Sequence, residues 1–183
     1  MAVVPAVPGE DVKRFMELAL KEAKAAGERG EVPIGAVIVK DGEVIASAGN
    51  RREEDQKTDA HAEMHAILEA NAKLGTWRLE ETTLFVTLEP CLMCAGAILN
   101  ARIPLVYFGA QDKKAGAVTS LYSVFEDDRL NHQVKVVPGV LKDESASLLK
   151  DFFKSLREKA KAKKKAAKKA EALNVDEADE DGR

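Results

Sequence analysis

"TTLFVTLEPCLMCAGAILNARIPLVYFG" (82–109) is the stretch whose reading decides the fold. Its opening, 82–89, is an apolar and β-branched run of the kind that forms a buried strand. Its middle, 91–101, has helical composition, and "LVYFG" (105–109) returns to a strand. Strand, helix, strand in immediate succession is a crossover that lays a helix back over the sheet. Upstream, "VPIGAVIVK" (32–40) and "EVIASAGN" (43–50) are strands joined by Asp41-Gly42, a strong short hairpin signal. Before them, Val12, Phe15, Met16, Leu18, Ala19 and Ala23 follow helical spacing from Asp11 to about Gly27. A polar loop holding Arg51, Arg52, Glu53, Glu54 and Asp55 leads into a helix from about Ala60 to Leu74. Downstream, "QVKVV" (133–137) is one more strand, and a last helix starts near Lys142. The alternation predicts an α/β layer structure, and the hairpin makes its sheet mixed.

The chain has 183 residues, enough for one full domain with a tail. Its two cysteines are too few for a secreted disulfide framework and fit a reducing compartment. "MAVVPAVPGE" has no basic leading region and two prolines, so no export signal is expected. No apolar run reaches the ~18 residues of a membrane span. These features predict a cytoplasmic protein with no membrane partner. The net charge of −3 is unevenly spread. Residues 154–170 hold nine Lys or Arg against the single Glu158, and 171–183 hold six acids and one Arg. The rest is mildly acidic, which disfavours long-range attraction to nucleic acid unless basic side chains are gathered locally. The expected organisation is a flexible N-terminus (1–10), one domain (11–158), a lysine-rich helical extension (159–172) and an acidic disordered tail (173–183).

Cys91 and Cys94 fall at the start of the helix that follows the buried strand. Unpaired backbone N–H groups and the positive end of the helix dipole stabilise thiolates there. The pair alone fits a redox couple or half of a zinc site equally well. "DAHAEMHAI" (59–67) adds His61 at the start of another helix, two residues before Glu63. Positions i and i+2 point nearly opposite ways inside a helix, so both can serve one site only at a helix end. Zinc held by His61, Cys91 and Cys94 keeps a fourth tetrahedral position for water, whose pKa it lowers toward about 7. Glu63 is then the candidate to take and return the proton. Taken singly, each residue also has a plain role: a first-turn histidine, an acid complementing a helix dipole, two small buried thiols. His65 is a rival ligand one turn on, but H-E-x-x-H is absent. His132 is assigned to a loop or the surface.

H-x-E followed by P-C-x-x-C resembles the signature of zinc-dependent nucleobase deaminases. With "VPIGAVIV", "GNRRE", "AHAEMHAI", "WRLEETTLFVTLEPCLMCAGAILNARI", "VYFGAQDKKAGAVTSLYSV", "NHQVKVVPGVL" and "LLKDFFKSLR", residues 11–158 are similar to the tRNA-specific adenosine deaminases. The resemblance implies a three-layer α/β/α cytidine-deaminase-like fold around a central mixed sheet of about five strands. It also implies one zinc per subunit on His61, Cys91 and Cys94, with Glu63 as catalytic proton shuttle and no organic cofactor. Asn50 is implied to hydrogen-bond the purine, although an asparagine ending a strand is also an ordinary turn residue. Phe152 and Phe153 are implied to lie near the tRNA anticodon loop, although helical spacing would put at least one in core packing. A homodimer with tRNA touching both subunits is implied. One departure is "KTDAHAE" (57–63) where relatives commonly read "DPTAHAE", so the turn into the helix lacks proline.

The implied reaction is hydrolysis of adenosine to inosine at the wobble position of tRNA. The alternative is a deaminase of the same fold acting on a free nucleobase or nucleoside, of cytosine or guanine type. A redox or nucleic-acid-binding protein with a structural metal is the rival from another class. The lysine run either adds phosphate contacts or, as is commoner for such runs, is a solvated helix.

Overall fold

A computed structural model describes the backbone over 7–180 and the side chains over 7–167. Residues 1–6 of the expected flexible N-terminus and 181–183 of the acidic tail lie outside the described residues. The elements are α1 (Gly9–Glu28), β1 (Gly35–Lys40), β2 (Glu43–Gly49), α2 (Arg52–Asp55), α3 (Ala62–Leu74), β3 (Thr82–Leu88), α4 (Leu92–Asn100), β4 (Leu105–Ala110), β5 (Lys135–Pro138) and α5 (Lys142–Glu180), with a 3-10 turn at Val124–Glu126. No described helix is long and apolar enough to cross a membrane.

The sheet has five strands in the order β2-β1-β3-β4-β5. β1 runs antiparallel to both β2 and β3, while β3, β4 and β5 are parallel. Hence β2, β3, β4 and β5 all end at one edge, and only β1 ends at the other. The β1–β2 connection is the expected Asp41-Gly42 turn, with φ of 52° and 78°. Two successive positive φ values match the right-handed twist of the strands, and Asp-Gly adopts them at low cost.

Strand alternation divides the core into two layers. Ala36, Ile38, Leu84, Val86, Val106 and Phe108 face one side, where Ala62, Ala66, Ile67 and Ala70 of α3 and Ala95 and Ile98 of α4 pack on them. Val37, Val39 and Phe85 face the other side, against Phe15, Met16 and Ala19 of α1. Phe85 lies between Phe15, at 5.3 Å between ring centroids, and Tyr107, stacked at 4.9 Å. Truncating such a buried aromatic costs about 3–5 kcal/mol. This is the expected three-layer α/β/α arrangement with a five-stranded mixed sheet.

Helix α1 comes so close to the sheet that a Cβ on Gly35 would stand 2.1 Å from the Ala19 carbonyl oxygen. It ends at Glu28 and not at Gly27, because the first left-handed residue is Gly30, at φ +89°. The polar loop after β2 contains the single turn α2, closed by Gln56 at φ 51°. Helix α5 continues through 173–180, where disorder was expected. No Pro or Gly interrupts the chain between 142 and 180, and Ala, Lys and Glu favour helix. The chain divides between Leu149 and Lys150 into two compact units, the second beginning inside α5.

Candidate metal centre and proton-transfer site

Two helices begin at the edge where β2 and β3 end, as ligand sites of open α/β sheets require. His61 is the N-cap of α3, at φ −83° and ψ 154°, and Cys91 is the N-cap of α4, at φ −76° and ψ 174°. Extended backbone at both caps sets His61 and Cys91 outside the regular side-chain spacing of their helices. Glu63 follows in the first turn of α3. Cys94, one turn into α4, completes the group.

The His61 Nδ1 atom lies 3.7 Å from Cys91 Sγ and 3.5 Å from Cys94 Sγ. The three ligand atoms all fall within 4.8 Å of one another. One imidazole nitrogen and two sulfurs converging at this spacing fit a tetrahedral cation of zinc's ligand preference, with one position left for a water or substrate atom. Half-buried His61 and Cys91 form the accessible side, and Cys94 is buried behind them. Glu63, two residues after His61, is 4 % exposed.

Left to themselves, these groups share protons. The Cys94 thiol donates to Cys91, holding the Cys91 pKa down at about 4, and that same bond together with burial pushes Cys94 up. The hydrogen bond to Cys91 raises His61 against the opposing effect of burial. Burial raises Glu63 above the usual carboxylate range. A cation would displace the Cys94 proton and leave Glu63 as a buried carboxylate beside it that is not a ligand. An acid or base poised in this way suits proton transfer near neutral pH.

Asn50 is 4 % exposed, at the same edge, but the sequence does not show what fixes it. Its Nδ2 donates to Glu31 Oε2 at 3.1 Å, while Glu31 Oε1 accepts the Glu54 N–H at 2.7 Å. Glu31, 1 % exposed, thereby ties α2 to the end of β2 and orients the Asn50 amide. Glu89, directly before Pro90 and Cys91, is a second buried carboxylate that no motif in the sequence marks. Burial alone would raise its pKa, but hydrogen bonds from the Ser120 hydroxyl and from the N–H groups of Thr119, Asp112 and Ser120 outweigh that and lower it. In both cases the available signal is an acid beside an apolar run. The backbone donors that satisfy them lie 23 to 31 positions away in the chain.

His65, the rival ligand, sits outside the three-residue cluster, with Nε2 3.7 Å from Asp55 Oδ2. His132 Nε2 is 2.9 Å from the Ile103 carbonyl oxygen, in the loop before β5. The "KTD" turn leaves the metal cluster assembled, with the His61 N–H bonded to the Asp59 carbonyl at 2.7 Å. Phe152 and Phe153 belong to the second unit, where their rings meet edge to face at 5.4 Å.

A family model described as MafB19-like deaminase matches residues 10–157. The tRNA-specific adenosine deaminase of Bacillus subtilis (strain 168) is 54% identical over 151 residues, 82% of this chain and 94% of the relative. That of Aquifex aeolicus (strain VF5) is 50% identical over 143 residues, 78% of this chain and 94% of the relative. A solved structure from studies of A-to-I editing by tRNA:A34 deaminases at the wobble position of transfer RNA is similar with a TM-score of 0.72 and 53% identity, covering 74% of this chain and 99% of that one. A guanine deaminase structure from Bacillus subtilis is similar with a TM-score of 0.54 and 31% identity, covering 63% and 82%.

Proposed function

The chain belongs to the family of tRNA-specific adenosine deaminases, and we propose that it hydrolyses adenosine to inosine at the wobble position of tRNA anticodon loops, with zinc on His61, Cys91 and Cys94. The observation that carries this reading is the convergence of one imidazole and two sulfurs within 4.8 Å, beside the buried carboxyl group of Glu63. Identity above 50% to tRNA-acting relatives, against 31% to a guanine deaminase, favours tRNA over free bases.

When bound, zinc supplies a Lewis acid that brings the pKa of a water molecule toward about 7. Glu63 takes a proton from the water that attacks C6 of the purine and delivers it to N1. The C6–O bond forms as the ring loses its C6–N1 double bond. Glu63 then carries the remaining hydroxyl proton to the 6-amino group, the C6–N6 bond breaks, and ammonia leaves. One carboxyl group acts first as base and then as acid, which its raised pKa favours. Asn50, its amide oriented by Glu31, holds the purine in register. A nucleotide in a loop is already partly unstacked, so inserting it costs less than flipping one out of a duplex.

Phe152 and Phe153 contact the anticodon stem-loop in this reading. The protein works as a homodimer, for which the exposed Leu68, Leu92 and Leu121 of the single chain offer apolar surface. It acts in the cytoplasm, where the thiols stay reduced and tRNA is available. Ammonia release is the direct assay. The zinc-loaded protein should release it from an anticodon stem-loop bearing a wobble adenosine and not from free adenosine, adenine, guanine or cytosine. Turnover of a free base or nucleoside with none on the stem-loop would transfer the assignment to the free-base deaminases of the same fold.

A further inference from the structure

We infer that Glu89 is a positioning residue for the metal site: its buried carboxylate gathers loop 112–120 and clamps it against Cys91. This rests on reading His61, Cys91 and Cys94 as the metal ligands.

Glu89 is 2 % exposed and carries no cationic partner within salt-bridge distance among the described residues. Its partners all come from one downstream loop. Oε1 accepts the N–H groups of Thr119 at 2.7 Å, Ser120 at 2.8 Å and Val118 at 3.3 Å. Oε2 accepts the Asp112 N–H at 3.0 Å and the Ser120 hydroxyl. Converging backbone N–H groups form the kind of cradle that elsewhere receives a phosphate, and here the chain supplies the anion itself. The cradle admits no extra atom, since a Cβ on Gly116 would stand 2.4 Å from the Glu89 carboxyl carbon.

The gathered loop then meets the metal ligands. Cys91 and Gly116 form an antiparallel β-bridge, and the Ala117 N–H donates to the Pro90 carbonyl at 2.8 Å. Cys91 is the N-cap of α4, a position whose backbone is not fixed by the helix itself. The bridge supplies that constraint, and Glu89 holds the bridge partner in place. A carboxylate two residues before a ligand thus sets the direction of its sulfur through a loop some thirty residues downstream. Hydrogen-bonding partners behind metal ligands commonly alter metal affinity by about 10- to 100-fold.

Glu89→Gln is the discriminating variant. Its amide keeps one oxygen for Val118, Thr119 and Ser120 but turns N–H groups toward the Asp112 N–H. We expect the affinity for zinc, measured by competition with a chromophoric chelator, to fall about 10- to 100-fold. The cobalt-substituted protein should show an altered thiolate-to-metal absorption band. Ser120→Ala removes one donor of five and should shift both readouts in the same direction by a smaller factor, so it carries the test if Glu89→Gln does not fold. Val37→Ala, on the α1 face of the sheet, should lower stability and leave zinc affinity unchanged. Wild-type zinc affinity in Glu89→Gln and in Ser120→Ala would overturn the inference, as would an equal loss in Val37→Ala. Failure of the wild-type protein itself to bind zinc would instead overturn the underlying assignment of the metal site.

Discussion

Glu63 sits where water no longer solvates its charge, and its raised pKa follows from that burial. Replacing it with Ala should reduce inosine formation by at least about 100-fold, the lower end of what a general acid-base contributes. Zinc content by elemental analysis should stay at one per chain, because Glu63 is not a ligand; loss of the metal along with the activity would make it one. Zinc binding should also release protons in a defined pattern. Cys91, at about 4, is already a thiolate between pH 6 and 8, whereas Cys94 and His61 both have raised pKa values. Each proton displaced makes affinity rise about tenfold per pH unit. The slope of log affinity against pH should therefore fall from about two to about one as pH rises through the His61 pKa. An affinity independent of pH would contradict these proton assignments. The four groups at this site were legible in the sequence because their spacing is local: H-x-E at one helix start, C-x-x-C at another. Glu31 and Glu89 were not, since backbone N–H groups satisfy most of their bonds and every residue type except proline carries one.

Hydrophobic periodicity made the long elements readable, and its absence hid the short ones. β1, β3 and β4 are buried apolar runs, and α1 repeats its apolar face over 20 residues. α2 has four residues, none of them buried, so it leaves no periodic trace. The Asp41-Gly42 turn was readable because only a few residue pairs tolerate two positive φ values. Gly35 is the opposite case: its role depends on α1 lying across it, which no local pattern in β1 announces. Gly35→Ala would place a methyl group 2.1 Å from the Ala19 carbonyl oxygen and 2.5 Å from the Ala23 nitrogen, both backbone atoms. The variant should lose about 1–3 kcal/mol of stability in urea unfolding, the usual cost of forcing extra volume into a packed interior. Unchanged stability would mean that α1 does not approach the sheet so closely.

Beyond residue 157, where the family match ends, α5 continues as a helix to Glu180. Between 154 and 165 it presents seven Lys or Arg against Glu158 alone. Like charges at i,i+4, such as Lys159–Lys163 and Lys161–Lys165, weaken a helix slightly, and a polyanion relieves that repulsion. A chain truncated after Glu158 should deaminate an anticodon stem-loop at the full rate. It should bind intact tRNA more weakly, and with a shallower dependence of log affinity on log salt, because each lost phosphate contact removes about 0.7–0.9 from the slope. Equal affinity and slope in the two forms would make the lysines a merely solvated surface. The deamination itself is tested most directly by incubating the zinc-loaded protein with a tRNA transcript bearing adenosine at the wobble position and sequencing the complementary DNA. This position alone should be read as guanosine, the signature of inosine, and only when Glu63 is present. An unchanged adenosine signal from zinc-loaded, folded protein would contradict it.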